Sequence, residues 1–313
     1  MKCIAVCCLT RNRPLMLVAA LESAVKLIAP EGFRLLFVCV ENDTQDRSRH
    51  IVERIFADRA HEYALEPRPG IAIARNTAMR LALAKGADAI AFFDDDETVD
   101  ANWIVELTQA MTAQGLHLVG GPVRVEFERH EGALSHIIAR GIARKYRWRE
   151  WKKWLMPWRA SICTNNCLIR ADVMTHHGIM FDERFKTGSD HRFHLDARAK
   201  GLKHGWASRA IVSELWPNER LSLGYYFERG RAQAKSFVLL SRHAGYGMAY
   251  LGLLVFWHTL VRLLNSLALL LISPLQFSAS LVQITRNMGR MAGYMEGAFG
   301  HGQTTLYDQT TGS

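Results

Sequence analysis

"AFFDDDETVD", residues 91–100, runs an apolar stretch into five acidic residues among the last seven. Adjacent carboxylates repel, so such a cluster costs stability unless a cation sits among them or solvent screens them. Asp94, Asp95 and Asp96 follow "AIAFF" at the end of a predicted buried strand, where alternation puts Asp94 and Asp96 on one face. Two oxygen ligands on one face suit a hard divalent ion that also holds a diphosphate. The competing reading is structural: acids at a strand end often cap the next helix, and Asp100 in "DETVDANWIVEL" is placed to do so.

Outward from this stretch the chain alternates between strand and helix patterns. "CIAVCCL" (3–9), "RLLFVCV" (34–40), "HEYALE" (61–66) and "AIAFFD" (89–94) read as strands. Between them lie helix-spaced apolar residues over 14–28, a polar helix over 45–58 and a helix starting near Ile71. This order predicts an α/β fold with a doubly wound sheet whose ligands bind at the carboxyl ends of the strands. Those ends carry "TRNRP", "ENDT" and "DDDE". Beyond residue 117, "LVGGPVRVEF" (118–127), "SICTNNCLIR" (161–170) and "KHGWASRAIVSE" (203–214) each read as a strand. "ADVM" (171–174) opens a helix, and "FDERFKTGSD" (181–190) is a loop leading into a helix at 190–200.

With 313 residues, 49% of them hydrophobic, the chain can bury a full core and is not disordered. Its net charge of +9 points to anionic partners without choosing among nucleic acid, lipid and phosphorylated substrates. Six cysteines sit mostly in strand-like runs, so reduced cytosolic thiols are expected. Cys163, Cys167, His176 and His177 could ligate zinc, but their spacing fits no zinc motif closely. The apolar residues after Lys2 are too few for a signal-peptide core and read as a first buried strand. Two stretches lack charged residues, Tyr246–Val261 and Leu263–Ile284. They are expected either to form a membrane-embedded or interfacial helical hairpin or to pack on the domain or in an oligomer.

The chain resembles family 2 glycosyltransferases of GT-A fold over roughly residues 1–240. The resemblance rests on colinear pieces: "LTRNRP", "VENDT", "GIAIARNTAM", "FFDDDETVDANWI", "GGPVRV", "NNCLIRADVM", "FDERFKTGSD" and "ASRAIVSELWPNER". It implies a Rossmann-like, mostly parallel mixed sheet flanked by helices, followed by a C-terminal apolar helical extension. The expected division is a nucleotide-sugar-binding half (1–116), an acceptor-binding half (117–240) and the extension (241–313). The resemblance also implies site residues. Thr10 and Arg11 lie near the nucleotide, Glu41 and Asp43 contact base and ribose, and Arg75 lies over the donor. Asp94 approaches ribose and metal, Asp95 joins the substrate-binding set, and Asp96 ligates Mn²⁺ or Mg²⁺. Asp190 matches the family's general base. Here Ser189 replaces the usual preceding glutamate and Arg192 a later aspartate, which leaves the acceptor preference open.

The implied reaction is an inverting transfer from a nucleotide-diphosphate sugar, a UDP-sugar by expectation, to an acceptor hydroxyl. A lipid-linked or envelope glycan precursor at the cytoplasmic face of the cell membrane is the expected acceptor. The Gln-x-x-Arg-Trp segment of processive members is absent from "YYFERGRAQ", so limited addition is expected. Two rivals are weighed. A sugar nucleotidyltransferase would need a Gly-rich phosphate loop, and "LTRNRPL" has no glycine; a membrane scaffold would keep the fold with a dead site. "RGIARKYRWREWKKWLMPWR" (140–159) holds eight Lys or Arg and four of the chain's eight tryptophans. On a helix Trp148, Trp151, Trp154 and Trp158 share a sector of about 120°, the make-up of a helix lying on a membrane surface. Docking on the protein's own core is the alternative, and no nucleic-acid motif supports a nucleic-acid partner.

Overall fold

The computed structural model describes residues 2–128, 132–155, 162–185, 188–243, 247–272 and 277–298. Its first part runs β1 (Lys2–Thr10), α1 (Pro14–Ala24), β2 (Phe33–Glu41), α2 (Arg49–Ile55), β3 (His61–Leu65), α3 (Ile71–Ala84) and β4 (Ala89–Asp94). There follow β5 (Glu97–Val99), α4 (Trp103–Gln114), β6 (Leu118–Gly120), β7 (Val123–Phe127), α5 (Ala133–Leu155), β8 (Asn166–Arg170) and α6 (Asp172–Thr175). The chain continues through α7 (Ser189–Ala199), β9 (His204–Trp206), β10 (Val212–Trp216), α8 (Leu223–His243), α9 (Met248–Ile272) and α10 (Phe277–Ala298).

Seven strands form one sheet in the order β3-β2-β1-β4-β8-β6-β9. Only β8 opposes its neighbours, pairing antiparallel with β4 and β6, so the sheet is mixed but mostly parallel, as expected. The central strand explains why "CIAVCCL" is apolar at every position, since helices cover both faces of the sheet. Ile4, Val6 and Cys8 point into a layer with Leu17 and Leu21 of α1 and Trp103 and Leu107 of α4. Cys3, Ala5, Cys7 and Leu9 point into the other, with Ala78, Met79 and Ala82 of α3 and Phe193 of α7. All six cysteines are free thiols.

Three stretches read as single strands are broken. "LVGGPVRVEF" splits into β6 and β7, "KHGWASRAIVSE" splits into β9 and β10, and "SICTNNCLIR" is strand only from Asn166. The first two breaks mark where the chain leaves the large sheet for a second one, ordered β5-β10-β7. Asn166 fastens the crossing. Its amide donates to the carbonyls of Pro122 and Ala210, both at 2.8 Å, and its Oδ1 accepts from Trp103 Nε1 at 2.8 Å. Gly121 lies under this knot, where a Cβ would stand 2.3 Å from the Ala210 carbonyl oxygen. The polar helix is also shorter than expected, and "ADVM" opens a single turn.

The chain divides into two compact units. One comprises residues 1–124 and 149–215, and the other comprises 125–148 and, among the described residues, 216–298. In the second, Ile138 and Ile142 of α5 pack with Trp216, Leu221, Tyr226 and Val282. Helices α8 and α10 meet backbone to backbone. A Cβ on Gly289 would lie 1.9 Å from the Phe227 carbonyl oxygen, one on Gly293 2.1 Å from that of Arg231, and one on Gly230 2.2 Å from that of Arg286. Arg231 and Lys235 of α8 both pair with Glu296 of α10. Among the described residues no helix is long and apolar enough to cross a membrane.

Candidate active site

Register alone gathers the first predicted residues, because Thr10 is opposite Glu41 on β2 and Leu9 is opposite Asp94 on β4. The carboxyl ends of three neighbouring strands therefore share one edge of the sheet. Strand β4 ends at Asp94, and Asp95 and Asp96 form the turn into β5. The alternation expected to align Asp94 with Asp96 thus stops one residue too early, and the turn brings the charge of Asp96 to bear on Asp94.

Within the turn Asp95 is buried and held from two sides. Thr10 donates its hydroxyl to Oδ2 at 2.8 Å, and Arg13 Nη1 approaches Oδ1 at 3.3 Å and Asp96 Oδ2 at 3.7 Å. Burial pushes the Asp95 carboxyl up to about 6 against the opposing pull of Arg13. Burial also raises Asp94; Arg75 opposes it, while Asp96, Asp95 and Glu214 reinforce it. Glu97, one residue past the turn, is buried too, accepting from the Asp94 backbone N–H at 2.8 Å and from Asn165 Nδ2 at 2.8 Å. Its carboxyl is raised by burial and then by Asp94. These raised carboxyls are short of positive charge, which a hard divalent cation would relieve, but among the described residues no three of these acids bring donor atoms within 4.8 Å of one another.

Arg75, on the first turns of α3, links this acidic edge to the second half of the site. It is buried, its charge acts on Asp94, its guanidinium lies 5.4 Å over the Phe181 ring, and its Nη1 donates to Ser189 Oγ at 3.3 Å. Ser189 opens α7, and Asp190 is the next residue. Asn76 strengthens the connection by donating to the Phe181 carbonyl at 2.9 Å and accepting from the Phe181 N–H at 2.9 Å.

Glu41 and Asp43 stand at the end of β2 and in the loop that follows. Glu41 is fully buried; its Oε2 accepts from the N–H groups of Arg47 and Ser48, each at 2.9 Å, and from the Tyr63 hydroxyl at 2.6 Å. That shapes the loop over residues 42–48, while Glu41 Oε1 is buried with no hydrogen-bond partner. Asp43 is half-buried and accepts from the Thr44 N–H at 2.6 Å. Arg11 is half-buried in the neighbouring loop, and Asn12 there accepts from Arg47 Nη1 at 2.9 Å.

Sequence reasoning passed over three contributors. Arg13 lay in the quoted "TRNRP" and Glu97 in "DDDE", but only folding shows which acid each one meets. Asn42 donates to the carbonyls of Glu66 at 2.9 Å and Arg68 at 2.7 Å and accepts from the Gly70 N–H, tying the loop after β2 to the loop before α3. The zinc set of Cys163, Cys167, His176 and His177, disfavoured by its spacing, does not assemble among the described residues, since Cys167 is buried in a core layer. One donor atom each from His117, Asp172 and His177 do lie within 4.8 Å of one another. However, His117 Nδ1 accepts the Lys203 N–H, and Arg170 pairs with Asp172.

Residues 5–178 match the family described as Glycosyl transferase family 2, more than half of the chain. The chain belongs to glycosyl transferase family 2. Among curated relatives of this transferase, the succinoglycan biosynthesis protein ExoM of Rhizobium meliloti is 29% identical over 238 residues, 72% of this chain and 70% of ExoM. Among solved structures, the mannosyltransferase PcManGT from Pyrobaculum calidifontis, in complex with GDP-Man and Mn²⁺, superposes with a TM-score of 0.57 at 15% identity. That likeness covers 98% of this chain and 77% of PcManGT. S. aureus TarS 1-349, in complex with UDP-GlcNAc, gives a TM-score of 0.51 at 16% identity over 75% of this chain and 66% of that one. These likenesses show the GT-A fold.

Proposed function

We propose that this transferase moves a sugar, with inversion, from a nucleotide-diphosphate sugar to an acceptor hydroxyl, using Asp190 as general base. The observation that carries the reading is Arg75, which touches the hydroxyl of Ser189 beside Asp190 while its charge acts on Asp94. Ser189, the neighbour of the proposed base, and the acidic edge thus share one buried guanidinium.

In the proposed reaction Asp190 accepts the proton of the acceptor hydroxyl as its oxygen bonds to the anomeric carbon. The bond from that carbon to the diphosphate oxygen breaks on the opposite face, and its electron pair leaves with the nucleotide. Thr10, Arg11, Glu41 and Asp43 border the nucleotide, and Asp94 and Asp95 the ribose and diphosphate. Asp96 and Asp94 would hold Mn²⁺ or Mg²⁺, which supplies neutralisation of charge on the departing diphosphate. Arg75 offsets the acidic edge and steadies the first turn of α7 through Ser189.

A UDP-sugar donor and a lipid-linked or envelope glycan acceptor are the favoured substrates, at the cytoplasmic face of a membrane and without processive elongation. ExoM, named for succinoglycan biosynthesis, supports a polysaccharide product. The test is release of free nucleotide from a panel of nucleotide sugars with Mn²⁺ or Mg²⁺. Asp190→Asn is expected to lower kcat by about 10²–10⁴-fold while nucleotide binding persists. Asp96→Asn is expected to lose turnover together with metal-dependent nucleotide binding. Asp88→Asn serves as the control, because Asp88 accepts the Cys3 N–H at 2.7 Å and its amide counterpart can still do so. Undiminished turnover in both site variants would overturn the assignment.

A further inference from the structure

Helix α9 presents two different faces. Leu251 and Thr259 are buried and Val255 and Leu263 half-buried, an i, i+4 stripe that fixes one side of the helix against its own unit. Tyr250, Leu253, Phe256, Trp257, Val261, Leu264 and Leu267 stand exposed on another side. The most open are Leu253 at 70%, Phe256 at 65% and Trp257 at 64%. Soluble monomers rarely expose so many large apolar residues in a row. Over its 25 residues α9 carries no acid and a single arginine, Arg262.

Two observations narrow what covers this face. Over residues 125–148 and 216–298 the unit that contains α9 carries thirteen Lys or Arg against six Asp or Glu. A second copy docking here would bring two cationic units together, which like-charge repulsion opposes, whereas an anionic lipid surface draws them in. The exposed side is also mixed in type. Tyr250, Phe256 and Trp257 gather in its first half, residues suited to the boundary between headgroups and acyl chains, and aliphatic side chains continue it. With one side buried against its own unit and the other open and apolar, the fitting geometry is a helix lying in the plane of the interface.

We propose that the Tyr250–Leu267 face of α9 is a membrane-docking surface, inserted flat among the headgroups of an anionic leaflet. The proposal deepens the reading that the transferase works at a membrane face, and rests on it. It locates the attachment on α9 and makes the basic tryptophan stretch of α5 secondary.

The experiment floats the full chain with vesicles of phosphatidylcholine alone and of phosphatidylcholine with 30% phosphatidylglycerol. The wild type, the triple variant Leu253→Ser/Phe256→Ser/Trp257→Ser and Trp151→Ser are compared, with circular dichroism and thermal melting verifying the fold. Nucleotide release is measured separately, so a failed catalytic assignment cannot be mistaken for failed docking. The expected result is binding that favours phosphatidylglycerol, a partition coefficient at least tenfold lower in the triple variant, and near-wild-type binding in Trp151→Ser. Three results would overturn the proposal. The wild type stays unbound, the triple variant binds as the wild type does, or the wild type is a dimer that the triple variant dissociates without any vesicle binding.

Discussion

At the scale of single residues, His194 shows how burial becomes pH dependence. It sits on the inner side of α7, one turn after Asp190, with its ring centroid 4.8 Å from that of His204 and with Arg198 and His191 adding positive charge. Burial, then these neighbours, pushes its pKa from the usual 6.5 down to about 4. The fold therefore favours the neutral ring, and the unfolded chain takes up a proton first as the pH falls. Stability is full above about 6.5 and declines as the pH drops towards 4, by up to roughly 3 kcal/mol. Glu66 adds a second, more acid limb. Hydrogen bonds from Arg68 lower its carboxyl to about 2, so its contribution is present above 4.5 and is lost as the pH falls through 2. Urea titrations from pH 7 to 2 should show the first limb vanish in His194→Phe and the second in Glu66→Gln. The same scale explains why the acidic edge was partly legible. A run of acids at the end of an apolar strand announces itself, but the partners of Asp95 are Thr10 and Arg13, more than eighty residues earlier. No local pattern pairs them.

At the scale of elements, close approach decides which positions tolerate a side chain. The glycines of α10 recur every four residues at 289, 293 and 297, a stripe visible in the sequence, but only the fold shows that α8 lies against it. A methyl group on Gly293 would meet the Arg231 backbone, so Gly293→Ala should destabilise by about 1–3 kcal/mol as the two helices are forced apart. Gly252 in α9 has nothing within 4 Å of its missing Cβ, and Gly252→Ala should stabilise by roughly 0.5–1 kcal/mol. Opposite shifts of the thermal midpoint would verify the pair. Asn166 acts where strands change sheets. Replacing it with alanine leaves Trp103 Nε1 buried without its acceptor and the Ala210 carbonyl without its donor, while the Pro122 carbonyl keeps only the Val212 N–H, a loss of about 3 kcal/mol by chemical denaturation. Here the sequence misled, because "LVGGPVRVEF" reads as strand on both sides of its break, an apolar run in β6 and an apolar–charged alternation in β7. Neither pattern says which sheet a strand joins. Only Gly121 and Pro122 hint that the ladder stops there.

At the scale of the whole molecule, the parallel order β3-β2-β1-β4 follows from alternating strand and helix patterns and from right-handed crossovers, so the gathering of their carboxyl ends on one edge was legible too. The second unit was less so, since an apolar run reads alike whether it faces a protein core, a partner or lipid. Exposure separates these cases, and it assigns the acidic edge and the open face of α9 to different units. Chemistry and attachment should therefore respond to different substitutions. Asp96→Asn should float with phosphatidylglycerol vesicles as the wild type does while losing nucleotide release. The triple variant on α9 should release nucleotide from a donor sugar in detergent-free buffer at the wild-type rate, because water serves as acceptor and no membrane is involved. With a lipid-linked acceptor in vesicles the same variant should slow at least tenfold, the apparent KM rising as the enzyme leaves the surface and kcat at saturation changing little. A fall in kcat without a change in KM would mean that α9 shapes the catalytic unit itself, and the two roles would then be inseparable.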